Sequence, residues 1–457
     1  MIGPDEPRYA WIGRAMAQSG DWVTPRLWGD PWFEKPALLY WMTAAAFRAG
    51  LGEDWAPRFP VACLSVLFLG FFYWRMKTEF GRPAAVYAVT VLATSAGWVA
   101  YSDAAIFDLP LSAAFGAAML LLLGWLERQD RRMLAPFAAL MGVTVLAKGL
   151  VGPVLALLAI VCWAARMGAR PLAGLAQPVP AMVFVAIAVP WYALCYARHG
   201  MAFIDEFFWK HHVSRFAAGA LEHNQPLWYF VPVLAAGLLP WTPVYAALAR
   251  AGVWRGHRPF FLICWAATTI TFFSLSRDKL PSYVLPALPA LAALAGIVLA
   301  QEKPLRVLLP LSALMLGLMP AAAAVLPKAL DVGLSEALTQ ARFPALPVAA
   351  VCSLALGVWA AERAGRRQVA VAAIAISTVA GYVLIKQSTL PVVDQQAGVR
   401  PLWRRAEAHR DSICLGEVRR HLVYGLNYYA GRQLPKCKDE PRPYRIENRE
   451  IIGPSQF

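Results

Sequence analysis

The apolar residues of this chain neither alternate nor form narrow stripes; they gather in long runs cut by short polar connectors. Runs near the roughly 20 residues that a bilayer core requires recur at about 57–76, 83–101, 107–126, 133–148, 150–166 and 178–197. They continue at about 227–249, 259–275, 281–300, 305–327, 344–361 and 367–386. Apolar stretches of this length with few charges read as spanning helices, so the pattern predicts an all-α polytopic membrane protein of about 12 spans. The polar segments predict other elements. Residues 5–20 read as an amphipathic helix, with Asp5 as cap, Pro7 in the first turn, Trp11, Ile12, Ala15 and Met16 at helical spacing, and Gly20 as the stop. Pro36 to Gly50, with Leu38, Leu39, Tyr40, Trp41 and Phe47, reads as a second helix suited to the membrane surface. Beyond Lys386 the chain turns polar, and Ile413-Cys414-Leu415, Val423-Tyr424 and Asn427-Tyr428-Tyr429 predict a small α/β domain. Three regions result: surface helices over 1–56, a spanning bundle over 57–386 and a C-terminal domain over 387–457.

Charge fixes the expected topology. Hydrophobic residues make up 59% of the 457, yet the formal net charge is +15, and that excess sits largely in every second connector. The basic connectors are Arg75/Lys77/Arg82, Arg128/Arg131/Arg132, Arg166/Arg170, Arg250/Arg255/Arg258, Lys303/Arg306 and Arg363/Arg366/Arg367. The positive-inside rule puts them in the cytoplasm. The remaining connectors then lie outside: about 1–56, 102–106, the Lys148 turn, 198–226, 276–280, 328–343 and the tail after about 387. The basicity is therefore a matter of topology, and a nucleic-acid partner is not expected. Gly3-Pro4-Asp5-Glu6-Pro7 follows Met1 at once, with no apolar helix to carry residues 1–56 outward. The expectation is that one further spanning helix precedes this segment. Of seven cysteines, only Cys414 and Cys437 lie in the polar tail, where an oxidising compartment permits a disulfide.

The outward connectors carry the candidate chemistry. Asp5-Glu6 at a helix start is either a plain cap or a carboxylate able to take an acceptor proton or steady an anomeric centre. Glu34-Lys35, between Trp32-Phe33 and Pro36, is either a local ion pair or a phosphate clamp beside an acid that can hold a divalent ion. Asp103 and Asp108 stand at the mouth of a span, where an unpaired acid is costly. Lys148 interrupts two spans that share almost no loop, and it can snorkel or bind a headgroup. The loop 198–226 offers adjacent His211 and His212, one of which with Glu34 would make a partial site for zinc or a similar ion, and Arg215, a fork for phosphate oxygens. Lys279 and Tyr283 stand at another outer mouth, within reach of a phosphate headgroup. The spans hold almost no ionisable residue away from their ends, which argues against an ion-coupled transporter.

Asp5-Glu6-Pro7-Arg8-Tyr9-Ala10, Phe33-Glu34-Lys35-Pro36-Ala37-Leu38-Leu39-Tyr40-Trp41, Phe107-Asp108-Leu109-Pro110-Leu111, His212-Val213-Ser214-Arg215-Phe216 and Lys279-Leu280-Pro281-Ser282-Tyr283 together resemble the motifs of a known family. It is that of the polyprenyl-phosphate-dependent membrane glycosyltransferases, which includes transferases that decorate lipid A with aminoarabinose and has the protein O-mannosyltransferases as relatives. The resemblance implies a GT-C type helix bundle in a bacterial inner membrane, with a cavity open to the periplasmic side. It implies transfer of a monosaccharide from a polyprenyl-phosphate carrier to an envelope lipid or glycan. Protein O-glycosylation and a lipid-linked-sugar flippase are the alternatives. Carried over by position, Asp5 and Asp108 match the acidic catalytic positions, and Lys35 and Arg215 match contacts to the carrier phosphate. Lys279 and Tyr283 match the late-loop motif near the carrier, with Lys148 as a further candidate, while Glu34 and His211 or His212 match the position of a divalent metal. Trp32 stands where tyrosine is common in the family, and the family's spanning helix before Asp-Glu has no counterpart here.

Overall fold

A computed structural model describes residues 3–207, 209, 225–340 and 345–453. The chain opens with helix α1 (Asp5–Ser19), a two-stranded ribbon of β1 (Arg26–Leu27) and β2 (Asp30–Pro31), and helix α2 (Leu38–Arg48). Gly20, at φ 73°, ends α1 as its sequence implies. The expected Asp5 cap is not observed, because Pro4 occupies the cap position, no side chain caps the helix, and the Asp5 carboxylate turns to Arg8 instead.

The bundle follows. Helix α3 (Phe59–Thr94) is broken at Gly81, whose φ of 83° reverses the chain ahead of Pro83. The second leg, extended by α4 (Ala96–Ser102), therefore returns Trp98 and Ser102 to within 3.0 Å of Ser65 on the first. Helix α5 (Asp108–Arg128) is buried along almost its whole length and forms the axis of the bundle. Helices α6 (Leu134–Lys148) and α7 (Val151–Met167) pack beside it, and α8 (Pro178–His199) packs on α6. The later helices His257–Leu275, Ala345–Arg363 and Arg367–Leu384 match the sequence reading within a few residues, and the run at 281–300 forms a 3₁₀ segment, Pro281–Ala287, followed by helix Leu288–Leu299. Small residues let backbones meet: a Cβ on Gly296 would stand 2.6 Å from the Ala88 Cβ, so Leu288–Leu299 and the second leg of α3 depend on glycine there.

Among the described residues eight helices are long and apolar enough to cross a membrane, and the chain is an integral membrane protein. The run at 227–249 is not one helix. It breaks into Phe230–Gly237 and a 3₁₀ turn at Thr242–Ala247, because Pro240 and Pro243 lack the N–H groups that a continuous helix needs.

At one end of the bundle, Arg75 and Arg128 close on the buried Glu79 at 2.6 and 2.5 Å, and Arg258 bonds Glu127 at 2.9 Å. At the same end, Arg367 pairs with the buried Glu362 at 2.6 Å, and Glu362 also accepts the Leu305 N–H. Chain direction puts α1, the start of α5 and the end of α6 at the other end.

The spanning run continues helically to Ala397, so the compact tail starts near Val399, about ten residues later than the sequence suggests. It holds a sheet in the order β3 (Ile413–Leu415), β4 (Tyr444–Glu447), β5 (Glu450–Ile452), with helix Arg420–Ala430 packed on it. Cys414 and Cys437 are bridged. Arg400 pairs with Asp54 at 2.9 Å, and the Tyr428 hydroxyl donates to the Glu53 carbonyl, so the tail rests on the connector after α2.

Candidate active site at the acid and base end of the bundle

The first helical turn of α1 carries Asp5, Glu6 and Arg8, and each finds a different partner. The Arg8 guanidinium is buried; it donates to Asp5 at 2.7 Å and reaches Glu34 at 3.1 Å. Three rings surround it, Tyr9 at 5.1 Å, Trp32 at 5.4 Å and Tyr424 of the tail at 5.6 Å. Burial works against its charge, yet the surrounding groups Tyr9, Glu34 and Asp5 hold its pKa above the ordinary arginine value. Arg8 is thus a fixed cation that spaces two carboxylates. Asp5 keeps nearly half of its side-chain surface exposed, whereas Glu34 is buried.

Glu34 also lies 3.5 Å from the Lys35 ammonium. Asp5, Arg8, Glu34 and Lys35 therefore form one ladder of alternating charge drawn from α1 and from the turn before α2. Glu6 points the other way, where Arg58 grips it through two bonds of 2.5 and 2.6 Å and the Ala105 N–H donates to it at 3.3 Å. That clamp seats α1 on the segment leading into α5.

Asp108 stands in the first turn of α5 and bonds the Lys148 ammonium, at the last residue of α6, at 2.6 Å. The same ammonium lies 4.3 Å from the centre of the Tyr283 ring. Lys148 therefore neither snorkels alone nor faces open headgroups; it is shared between an acid and a ring. The ladder and this trio meet across aromatic contacts, because Phe107 packs edge-on to Tyr9 at 4.9 Å and to Tyr40 at 5.2 Å. Burial and the nearby Glu34 carboxylate push the Tyr9 and Tyr40 hydroxyls well above the usual phenol pKa, so both stay protonated.

The structure thus brings Asp5, Glu34, Lys35, Asp108, Lys148 and Tyr283 to one end of the bundle. Lys279 is buried there too, and its ammonium donates to the Gln225 carbonyl at 2.8 Å. Arg215, His211 and His212 lie outside the described residues. Asp103, read beside Asp108 in the sequence, pairs with Lys386 at 2.7 Å in an exposed contact.

The acids also bear on a divalent metal. Among the described residues no three His, Cys, Asp or Glu side chains converge, and one Glu34 oxygen faces Arg8 while the other faces Lys35. His211 and His212, the expected partners of Glu34 at such an ion, lie outside the described residues.

Sequence reasoning passed over Arg8, Arg58 and Tyr424. Arg8 carried a signal, its spacing of three from Asp5 on a helix. Tyr424 carried none, being separated from Arg8 by almost the whole chain.

Residues 34–193 match the family described as dolichyl-phosphate-mannose-protein mannosyltransferase. Curated relatives include the undecaprenyl phosphate-alpha-4-amino-4-deoxy-L-arabinose arabinosyl transferases of Serratia proteamaculans and Yersinia enterocolitica, 34% and 33% identical over 304 residues. Those alignments cover 64% of this chain and 54% of each relative, so the chain spans about half the length of the curated relatives it matches. The crystal structure of ArnT from Cupriavidus metallidurans bound to undecaprenyl phosphate superposes with a TM-score of 0.75 at 26% identity, covering 95% of this chain and 81% of that one. An Archaeoglobus fulgidus oligosaccharyltransferase at 12% identity and a TM-score of 0.51, covering 94% of this chain and 60% of that one, shares the fold alone. Residues 34–193 are thus similar to the dolichyl-phosphate-mannose-protein mannosyltransferase family, and the helix bundle around them is of the GT-C type seen in the Cupriavidus metallidurans structure.

Proposed function

We propose that this protein is a glycosyltransferase that moves a monosaccharide from a polyprenyl-phosphate carrier to a lipid A-like or other envelope lipid or glycan, on the periplasmic side of a bacterial inner membrane. The observation that carries the reading is the meeting of the Asp5–Arg8–Glu34–Lys35 ladder with the Asp108–Lys148–Tyr283 trio across Phe107, Tyr9 and Tyr40. It joins an accessible carboxylate to two lysines at one end of an apolar bundle, which suits an anionic head on a greasy chain. The relatives named for undecaprenyl-phosphate-linked aminoarabinose support the choice of donor class.

In the proposed reaction the acceptor hydroxyl attacks the anomeric carbon and passes its proton to Asp5. The bond from that carbon to the phosphate oxygen breaks, and the carrier phosphate leaves with the electron pair. Lys35, with Arg215, and Lys148, steered by Asp108 and Tyr283, take up the charge that grows on the phosphate. Holding both lipid substrates in one cleft supplies proximity. Lys279 supports the connector beside Tyr283. No step is routed through a metal, since His211 and His212 lie outside the described residues.

The test is an assay of purified protein with a polyprenyl-phosphate sugar and candidate acceptors. Release of free carrier phosphate that requires Asp5, with sugar found on a lipid acceptor, fits the proposal. Sugar found on peptide instead moves the protein to the O-mannosyltransferase reading, and translocation of intact donor without bond cleavage makes it a flippase and ends the proposal.

A further inference from the structure

The opposite end of the bundle holds a cleft that the proposed reaction does not use. It is about 760 Å³ in volume and lies between the second leg of α3, the turn after Leu288–Leu299 and the turn joining Ala345–Arg363 to Arg367–Leu384. Its polar lining is dominated by Arg306, Arg363, Arg366 and Arg367, with Glu302 and Glu362 as the acids. Glu362 is already neutralised. Arg367 binds it at 2.6 Å and spends its remaining donors on the carbonyls of Leu299, Gln301 and Lys303, so this pair builds the wall. Arg306, Arg363 and Arg366 are exposed and lie around the same opening. Helix Arg367–Leu384 starts there, adding the positive end of its dipole.

Two further features separate this cleft from a generic basic loop. Arg363 lies 4.5 Å over the ring of Trp359, a residue type that marks the membrane–water boundary, which fixes the arginines at headgroup depth. The rim continues directly onto exposed apolar surface at Val307, Leu356 and Val369, 57–68% exposed, where acyl chains lie against a spanning bundle. A cationic pocket opening onto a lipid-facing wall is complementary to one amphipathic molecule with an anionic head.

We propose that this cleft binds the phosphate headgroup of an anionic phosphoglyceride from the leaflet at the arginine-rich end of the bundle, with the acyl chains along Val307, Leu356 and Val369. Basic pockets between spanning helices hold anionic lipid heads by the same physics. Occupancy ties the Leu299–Arg306 turn to the Arg363–Arg367 turn and so braces the bundle at the end remote from the candidate active site.

The test uses the full-length purified protein in nanodiscs of equal phosphatidylglycerol and phosphatidylethanolamine, with retained lipids counted by native mass spectrometry. Phosphatidylglycerol should be retained in preference. The double variant Arg306→Gln/Arg366→Gln should lose about 25-fold in that retention, taking about fivefold for each arginine near the surface. Arg363→Gln alone should lose about fivefold, and Arg306→Lys should keep most of it, so that a poorly folding double variant still leaves a reading. Equal retention of the two lipids, or unchanged retention in Arg363→Gln, overturns the proposal. Inorganic phosphate that displaces phosphatidylglycerol at equal concentration also overturns it, since the site would then recognise a soluble anion.

Discussion

The two ends of the bundle are both rich in ion pairs, but they use them differently. At the arginine-rich end, Glu79 sits between Arg75 and Arg128 and Glu362 is held by Arg367, with each acid shut away and Arg75 and Arg367 also bonded to carbonyls. Those pairs tie helices together, and a charge there without its partner is a defect. At the other end, Asp5 is paired yet nearly half exposed, and its partner Arg8 is the buried member. The contrast teaches that the presence of buried charge does not mark a reaction site. What marks the proposed one is a carboxylate left accessible while its partner is immobilised.

The largest effect should come from Asp5→Asn, which keeps shape and hydrogen bonding to Arg8 but removes the base. Transfer should fall by about 10²–10⁴ in kcat with unchanged thermal unfolding, and full activity in this variant would erase the distinction between the ends. Glu79→Ala should do the converse. It strands Arg75 and Arg128 and should cost about 3–5 kcal/mol of stability, seen as early unfolding in detergent, while any protein that stays folded keeps its affinity for donor. Lys35→Ala should weaken carrier-phosphate binding about 10- to 150-fold, the worth of about 1.5–3 kcal/mol for a charged hydrogen bond. Equal affinity measured by titration would strip Lys35 of its assigned role. Lys386→Ala should be nearly silent, below about 1 kcal/mol, because its pair with Asp103 is exposed at both partners. A large loss in activity there would show that Asp103 belongs to the reacting groups after all.

The span pattern was legible because bilayer thickness sets helix length and little else in a chain mimics it. The cap, the break and the partners were not. Asp5 reads locally as a helix cap, and only the fold, by bringing Arg8 between it and Glu34, gives it another use. Lys148 has no polar neighbour in sequence, and its acid lies 40 residues back on another helix. The run at 227–249 looked continuous because hydropathy does not register what prolines remove. Lys279 shared a motif with Tyr283, yet a side chain four residues away on a turn faces Gln225 instead. The bridge between Cys414 and Cys437 lay within reach of the sequence because the topology isolated those two thiols from the other five.

The third ring around Arg8 belongs to Tyr424, which also stacks on Trp28 at 5.4 Å. Helix α1 thus receives part of its aromatic cage from a tail segment some 416 positions further along the sequence. Surface helix and distant tail are therefore coupled through one guanidinium: loosening the tail would open one wall of the box that holds Arg8.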